Sequence, residues 1–213
     1  MEMERMIDLP DNSPIFEKIY RDYLAQISGI DLKSVAEKLG IDIRNDEAII
    51  PLFGKPYRVS EKGVFDRSDL RPPHSARVVL FKYLLLCPEE EPCGREWVAF
   101  RDFKDAAPFV EGFSNTSEHE IEKNFTGKLS GLEKACIVSG GKAFDADFSY
   151  DLSMWFNPLP KVPVIMLFND EYEMFRSRCI ILFEKCAEKY LDMECIAIIG
   201  MHLAGHLIKN SKQ

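Results

Sequence analysis

Apolar positions recur along the chain with two periods, and each change of period marks a change between helix and strand. Ile15, Phe16, Ile19, Tyr20, Tyr23, Leu24 and Ile27 fall on one helical stripe, with Ser13 as its cap and Pro14 in its first turn. A break at Ser28-Gly29 precedes a short second helix that Asp31 caps and Gly40 ends, with Leu32, Val35, Ala36 and Leu39 buried. The period then becomes that of strands. Residues 48–53 and 57–60 flank a turn at Gly54-Lys55-Pro56, and a second turn at Gly63 leads into Val64-Phe65. Pro51 and Pro56 carry no amide hydrogen for a ladder, which predicts a strand end or a sheet edge for both.

Pro72-Pro73 opens a third helical segment, residues 75–87, which is apolar on nearly all sides and so belongs in the middle of a core. Residues 96–103 read as extended. Ser117 and Glu120 have capping-box spacing before a helix carrying Ile121, Phe125, Leu129, Leu132 and Cys136. Gly127 and Gly131 predict a kink or division in it, and Gly140-Gly141 its end. Phe148, Tyr150, Leu152, Met154 and Phe156 alternate with Ser149, Asp151, Ser153 and Trp155, the pattern of a half-buried strand, interrupted at Pro158 and Pro160. Residues 162–168 form a fully buried strand. Everything after them reads as helical, one segment ending near Tyr190-Leu191 and a last helix covering 194–208. The pattern predicts an α+β fold: small antiparallel sheets of hairpins packed against several helices, with a helical C-terminus. One domain over residues 1–213 is expected, with residue 70 the only place where a boundary would fall.

At 213 residues a single core suffices, since folding at this size buries roughly 70% of the exposed surface. The formal net charge of −8, with no basic run longer than two residues, argues against a nucleic-acid partner. No apolar stretch approaches the roughly 18 residues that read as a membrane span. The acidic opening segment lacks the apolar run of a secretory leader, so a cytoplasmic location is expected. The cysteines, Cys87, Cys93, Cys136, Cys179, Cys186 and Cys195, include no Cys-x-x-Cys pair, which favours reduced thiols over a zinc ribbon or dithiol centre.

Familiar catalytic patterns are missing. Ser139-Gly140-Gly141-Lys142 lacks the earlier glycine and the following hydroxyl of a phosphate loop, and neither Gly-x-Ser-x-Gly nor His-Glu-x-x-His occurs. His74 and His119 stand in polar contexts and are expected to be exposed. On the last helix Cys195, His202 and His206 lie within about 40° of one stripe. Imidazoles four residues apart suit one shared metal ion, or the metal of a haem or corrinoid. Cys195 is about 10 Å further along the axis, beyond reach of the same ion without a second element. The competing reading is packing: Ile196, Ile199, Leu203 and Leu207 with Gly200, Ala204 and Gly205 make a core helix, and the histidines become a hydrogen-bonded stripe on it.

Asp145, Asp147 and Asp151, before and within the alternating strand, and Asp170, Glu171 and Glu173, after the buried one, form a second constellation. Antiparallel pairing brings Asp147 or Asp151 toward Asp170 or Glu171, where facing carboxylates divide acid and base roles or hold a hard cation such as Mg²⁺. Solvated loops at strand ends are the alternative. Trp97 and Trp155 are core residues or pocket walls, and Arg95 and Arg101 flank Trp97 as an anion pocket would require.

Several segments in order, Ile50-Pro-Leu-Phe-Gly-Lys-Pro-Tyr-Arg-Val-Ser60, Trp97-Val-Ala-Phe-Arg101, Pro160-Lys-Val-Pro163 and Ile181-Leu-Phe-Glu184 followed by Tyr190-Leu191, resemble the family designated domain of unknown function 3786. The resemblance runs over about residues 15–208 and implies an origin in anaerobic bacteria or archaea. It implies no particular reaction. Some relatives carry a cysteine-rich iron–sulfur domain like that of corrinoid iron–sulfur proteins, which implies corrinoid, one-carbon or redox metabolism. This chain lacks that four-cysteine module, so no cluster is carried over. The family's acidic pair followed by Phe-Pro is here Glu173-Met174-Phe175-Arg176, and its Leu-Phe-Asp is Leu182-Phe183-Glu184, which puts an acidic site there in doubt. Three functions remain. The first is a small-molecule or cofactor-binding accessory protein using His202, His206, Trp155 and Arg101. The second is a carboxylate- or metal-dependent enzyme using Asp147 or Asp151 with Asp170 or Glu171. The third is a structural subunit.

Overall fold

The computed structural model describes residues 14–92, 94, 96–145 and 150–212. Helices α1 (Pro14–Ile27) and α2 (Leu32–Leu39) form where the periodicity places them. Asp31 Oδ1 accepts from the Lys33 amide at 3.1 Å, and Gly40 ends α2 at φ +65°. On α1 the buried stripe is narrower than expected: Phe16, Tyr20 and Ile27 are buried while Ile15 is 60% exposed. Ser13, its expected cap, lies outside the described residues.

Strands β1 (Asp42–Arg44), β2 (Glu47–Leu52), β3 (Lys55–Ser60) and β4 (Gly63–Phe65) make an antiparallel meander in that order. The β2–β3 turn is Phe53-Gly54, one position earlier than expected. Leu52 pairs with Lys55, and the two loop residues have φ of +48° and +73°. That is the left-handed pair whose twist matches the flanking strands. Pro51 then stands opposite Pro56, one pair from the turn, where antiparallel strands exchange no hydrogen bonds. The outer strands stop at Ile49 and Arg58, so neither proline faces a ladder it cannot join. Gly63 lets α1 dock here: a Cβ would stand 2.5 Å from Tyr20 Oη, which accepts from the Val64 amide at 3.0 Å.

Helix α3 (His74–Leu85) is buried on nearly every side, as its apolar run requires. His74 corrects an expectation. It is only 8% exposed, with its ring stacked on Phe16 at 3.8 Å, because α1 packs against the start of α3. The extended stretch expected over 96–103 reduces to β5 (Trp97–Ala99). Asp102 Oδ2 accepts the Ala99 amide and turns Phe100–Asp102 into a 3-10 helix. The capping box is also overturned. Helix begins earlier, in a 3-10 turn Ala107–Phe109, and continues through α4 (Val110–Phe113), a π-helical turn Ser114–Glu118 and α5 (His119–Phe125). Ser117 sits inside this rod, its hydroxyl buried without a hydrogen-bond partner. Gly127, at φ +70°, divides α5 from α6 (Leu129–Val138), which accommodates Gly131.

The second sheet has the order β5-β9-β8-β7-β6, with β6 (Lys142–Ala143), β7 (Leu152–Leu159), β8 (Val162–Asn169) and β9 (Arg178–Glu184), every pair antiparallel. β8 is its middle strand, which explains its unbroken apolar run. The strand expected from Phe148 begins at Leu152: Tyr150 and Asp151 are outside it, and 146–149 lie outside the described residues. It passes through Pro158 instead of stopping, by a register shift between Phe156 and Leu159. The Pro158 carbonyl accepts from the Phe53 amide at 2.9 Å, which pins the first sheet's hairpin to the second sheet. β9 replaces expected helix. Cys179, Ile181 and Phe183 turn to the core while Ile180 and Leu182 stay half-buried on the other face. Apolar residues on both faces hide the alternation, so periodicity does not separate this strand from a buried helical segment. A 3-10 turn, Lys185–Lys189, leads to α7 (Met193–Asn210).

The architecture is α+β. One cluster of buried apolar residues runs from Tyr20 to Leu207, drawing on both sides of residue 70. Buried Tyr83 joins the two: its hydroxyl donates to Leu39 O and accepts from Lys161 N, both at 3.1 Å. Tyr83→Phe removes a partner from each and is expected to lower the unfolding free energy by about 1–3 kcal/mol. Calorimetry is expected to show one transition for wild type and variant, and two transitions would contradict the single-domain expectation.

Candidate functional site

Asp192 sets the start of α7. Its Oδ1 accepts the Cys195 amide at 3.0 Å and its Oδ2 lies 3.0 Å from Lys82 Nζ. Burial alone would raise its pKa, but the Cys195 amide and Lys82 outweigh that and hold it below the usual range. Cys195 points into the core with no exposure, and burial pushes its thiol well above its ordinary pKa. It is a protonated core residue, separated from the two histidines that share its stripe.

His202 and His206 emerge on the later turns of α7, where the β2–β3 hairpin lies over the helix. His202 Nε2 is 3.0 Å from Ser75 Oγ at the start of α3. The two imidazoles are 6.3 Å apart between centroids, and the Phe53 ring lies 6.5 Å from His202 and 4.8 Å edge-on from His206. Both rings are half-buried. Desolvation is the main cause that lowers both pKa values to about 4, helped by His206 and Lys55 at His202 and by Lys55 and Lys209 at His206. Both are neutral at pH 7, and a neutral imidazole keeps one nitrogen lone pair. Ser75 occupies one nitrogen of His202. Among the described residues the His206 ring nitrogens make no hydrogen bond.

Phe53 is the member that sequence reasoning missed, counting it as the last residue of a strand. A phenylalanine at positive φ is uncommon and is held only where the surroundings require it. Here the two-residue turn and the Pro158 carbonyl hold it, and its ring walls the imidazole pair. An aromatic-Gly pair between two strand runs was the available signal.

The carboxylates gather elsewhere. Asp151 Oδ2 accepts the Asp170 amide at 2.8 Å, and Asp170 Oδ1 accepts the Gly127 and Glu171 amides at 2.7 and 2.8 Å. Antiparallel pairing thus brings Asp151 and Asp170 to one end of the β7–β8 pair, where they close turns. Glu171 is exposed, and Asp147 lies outside the described residues. Trp155 pairs across the sheet with Ile165, with Lys142 Nζ 5.7 Å from its ring, on the face opposite Met154 and Phe156. Arg101 lines a cavity of about 220 Å³ beside β9. The candidates therefore form two separate groups, the histidines on α7 and Asp151 with Asp170 at the strand ends, with Trp155 and Arg101 apart from both.

Among the described residues no three His, Cys, Asp or Glu side chains are grouped to hold a metal ion. No helix among them is long and apolar enough to cross a membrane. No curated protein and no solved structure matches the chain. From the cap of α2 to His206 the match is to a family model, covering residues 31–206, and the chain belongs to that family, described as Domain of unknown function (DUF3786).

Proposed function

We propose that the protein binds a small metal-bearing cofactor at the His202–His206 pair, as an accessory protein and not as a catalyst. The observation that carries this reading is His206: a half-buried, neutral imidazole whose nitrogens have no hydrogen bond among the described residues, beside a second imidazole and an aromatic wall. Two imidazoles supply at most two ligands, and among the described residues no third His, Cys, Asp or Glu is grouped with them. A macrocycle such as a haem or corrinoid brings its own equatorial nitrogens and needs only an axial base. His206 would hold the metal of such a group, with His202 kept in place by Ser75 and the Phe53 ring as the apolar wall beside them. Lys55, at the same hairpin, suits acidic side groups on it. The cysteines described are free thiols, which supports a reducing, cytoplasmic compartment. Anaerobic corrinoid, one-carbon or redox metabolism is the setting supported by the resemblance of the short segments.

Titration with haemin and with aquocobinamide tests the reading. Axial imidazole ligation is expected to shift the visible bands and saturate in the micromolar range. His206→Ala is expected to abolish the shift and His202→Ala to weaken it. Affinity is expected to hold down to about pH 5 and fall only as the rings protonate near pH 4. Unchanged spectra at about 100 µM of either compound, a ligand concentration that leaves no binding stronger than about 5.5 kcal/mol, would end this reading.

A further inference from the structure

A second hollow, on different residues, lies between the helical rod and the exposed half of β9. β5 pairs only with Leu182, Phe183 and Glu184, leaving the first half of β9 without a strand on that side. Glu122 Oε1 accepts the Cys179 amide at 2.8 Å and Glu118 Oε1 accepts the Ile181 amide at 3.1 Å, so two helix carboxylates take the place of the missing strand. Glu118 uses one oxygen, while the second oxygen of Glu122 lies 4.0 Å from His119 Nε2. The cavity of about 220 Å³ opens beside them, floored by Val110 and Phe113 and rimmed by Arg101 and Arg178. Its inner part is anionic and apolar, its rim cationic: the Glu122 side chain is 22% exposed and that of Arg101 64%. Arg178 makes no ion pair among the described residues.

Sealing a sheet edge explains one oxygen of each glutamate. It explains neither the hollow nor the two arginines that face it. Nor does it explain the π-helical turn, Ser114–Glu118, which delivers Glu118 to the cavity and leaves Ser117 Oγ buried without a partner. Such turns are uncommon inside α-helices and concentrate at functional sites. Burial raises the Glu118 pKa and the neighbouring Glu122 adds to it, against the lowering pull of the Ile181 amide, Arg101 and His119.

We propose that this cavity binds a free amino acid, its ammonium group at the open oxygen of Glu118 beside the Glu122 carboxylate, its carboxylate at Arg101 and Arg178, and a small apolar side chain on Val110 and Phe113. Both charges of the ligand meet their opposites in the order in which the cavity presents them. The volume is below the roughly 300–1,000 Å³ of sites for drug-sized molecules, which limits the ligand to this size class.

The test is isothermal titration of the whole chain with the proteinogenic L-amino acids, and with the acid and the amine that correspond to the best binder. At least one apolar amino acid is expected to bind, with each single-charge analogue at least about 10-fold weaker, which is about 1.4 kcal/mol. Glu118→Gln keeps an acceptor for the Ile181 amide, and Arg178→Gln alters an exposed side chain, so both variants are expected to melt like wild type. Each is expected to weaken the amino acid by about 10-fold or more, and Glu118→Gln to leave the acid analogue unaffected. No heat from any amino acid at about 10 mM, an acid analogue that binds as well as the amino acid, or an affinity that neither variant changes would each overturn the proposal.

Discussion

Lowering the pH from 6.5 to 5 is expected to destabilise the protein by about 1–2 kcal/mol for each of His202 and His206. Both rings have folded-state pKa values of about 4, against 6.5 for the unfolded chain. Below pH 6.5 the unfolded chain takes up protons that the folded protein refuses, so the equilibrium moves toward unfolding. The contribution is complete above pH 6.5, falls progressively below it and is lost as the pH reaches about 4. Urea unfolding at pH 7, 6 and 5 measures it, above the range where most carboxylates titrate. The double variant His202→Gln with His206→Gln is expected to flatten this slope. Lys55→Gln, which removes a cation that lowers both rings, is expected to reduce it. A slope unchanged in the double variant would assign the acid sensitivity to other groups and remove the case for neutral, half-buried imidazoles.

Gly200→Ala is expected to cost about 2 kcal/mol, and Gly205→Ala, one and a half turns later on the same helix, to stabilise by up to about 1 kcal/mol. A Cβ on Gly200 would stand 2.4 Å from Phe113 Cε2 and 2.9 Å from Ser117 Oγ. Phe113 has little room to retreat, because its ring stacks on Phe100 at 4.3 Å and meets Phe183 edge-on. The clash therefore outweighs the gain in helix propensity. At Gly205 nothing lies within 4 Å of the added carbon, so propensity alone decides the sign. Thermal or urea unfolding of the two variants checks both. Equal effects would mean that α7 does not press on the π-helical turn. The same contact positions the proposed amino-acid cavity, so Gly200→Ala is also expected to weaken binding there.

Much of the candidate site was legible before the fold was known. The i,i+4 spacing of His202 and His206 places both on one face of any helix that contains them. What spacing does not tell is which part of a face is covered. Cys195 shares that face and is fully buried, because the start of α7 lies in the core on this side, while further along the same face is only half covered, by Phe53 of the hairpin and Ser75 of α3. His74 shows the same limit in the other direction: polar neighbours in sequence, yet a ring covered by Phe16. The Glu118–Glu122 cavity could not be read from sequence at all. It depends on β9 being a strand, on β5 stopping short of its first half, and on a π-helical turn that carries no pattern of its own.

By itself the amino-acid sequence determined the elements whose local physics is self-sufficient: α1, α2 with its Asp31 and Gly40 caps, the mostly apolar α3, the buried run of β8, and α7 with its histidine pair. In each, periodicity or a capping side chain favours one conformation whatever surrounds it. Only the tertiary structure decided β9, the passage of β7 through Pro158, the left-handed Phe53 and the turn that delivers Glu118. There the local preference is weak or opposed, and hydrogen bonds and packing from distant segments supply the free energy that selects the conformation.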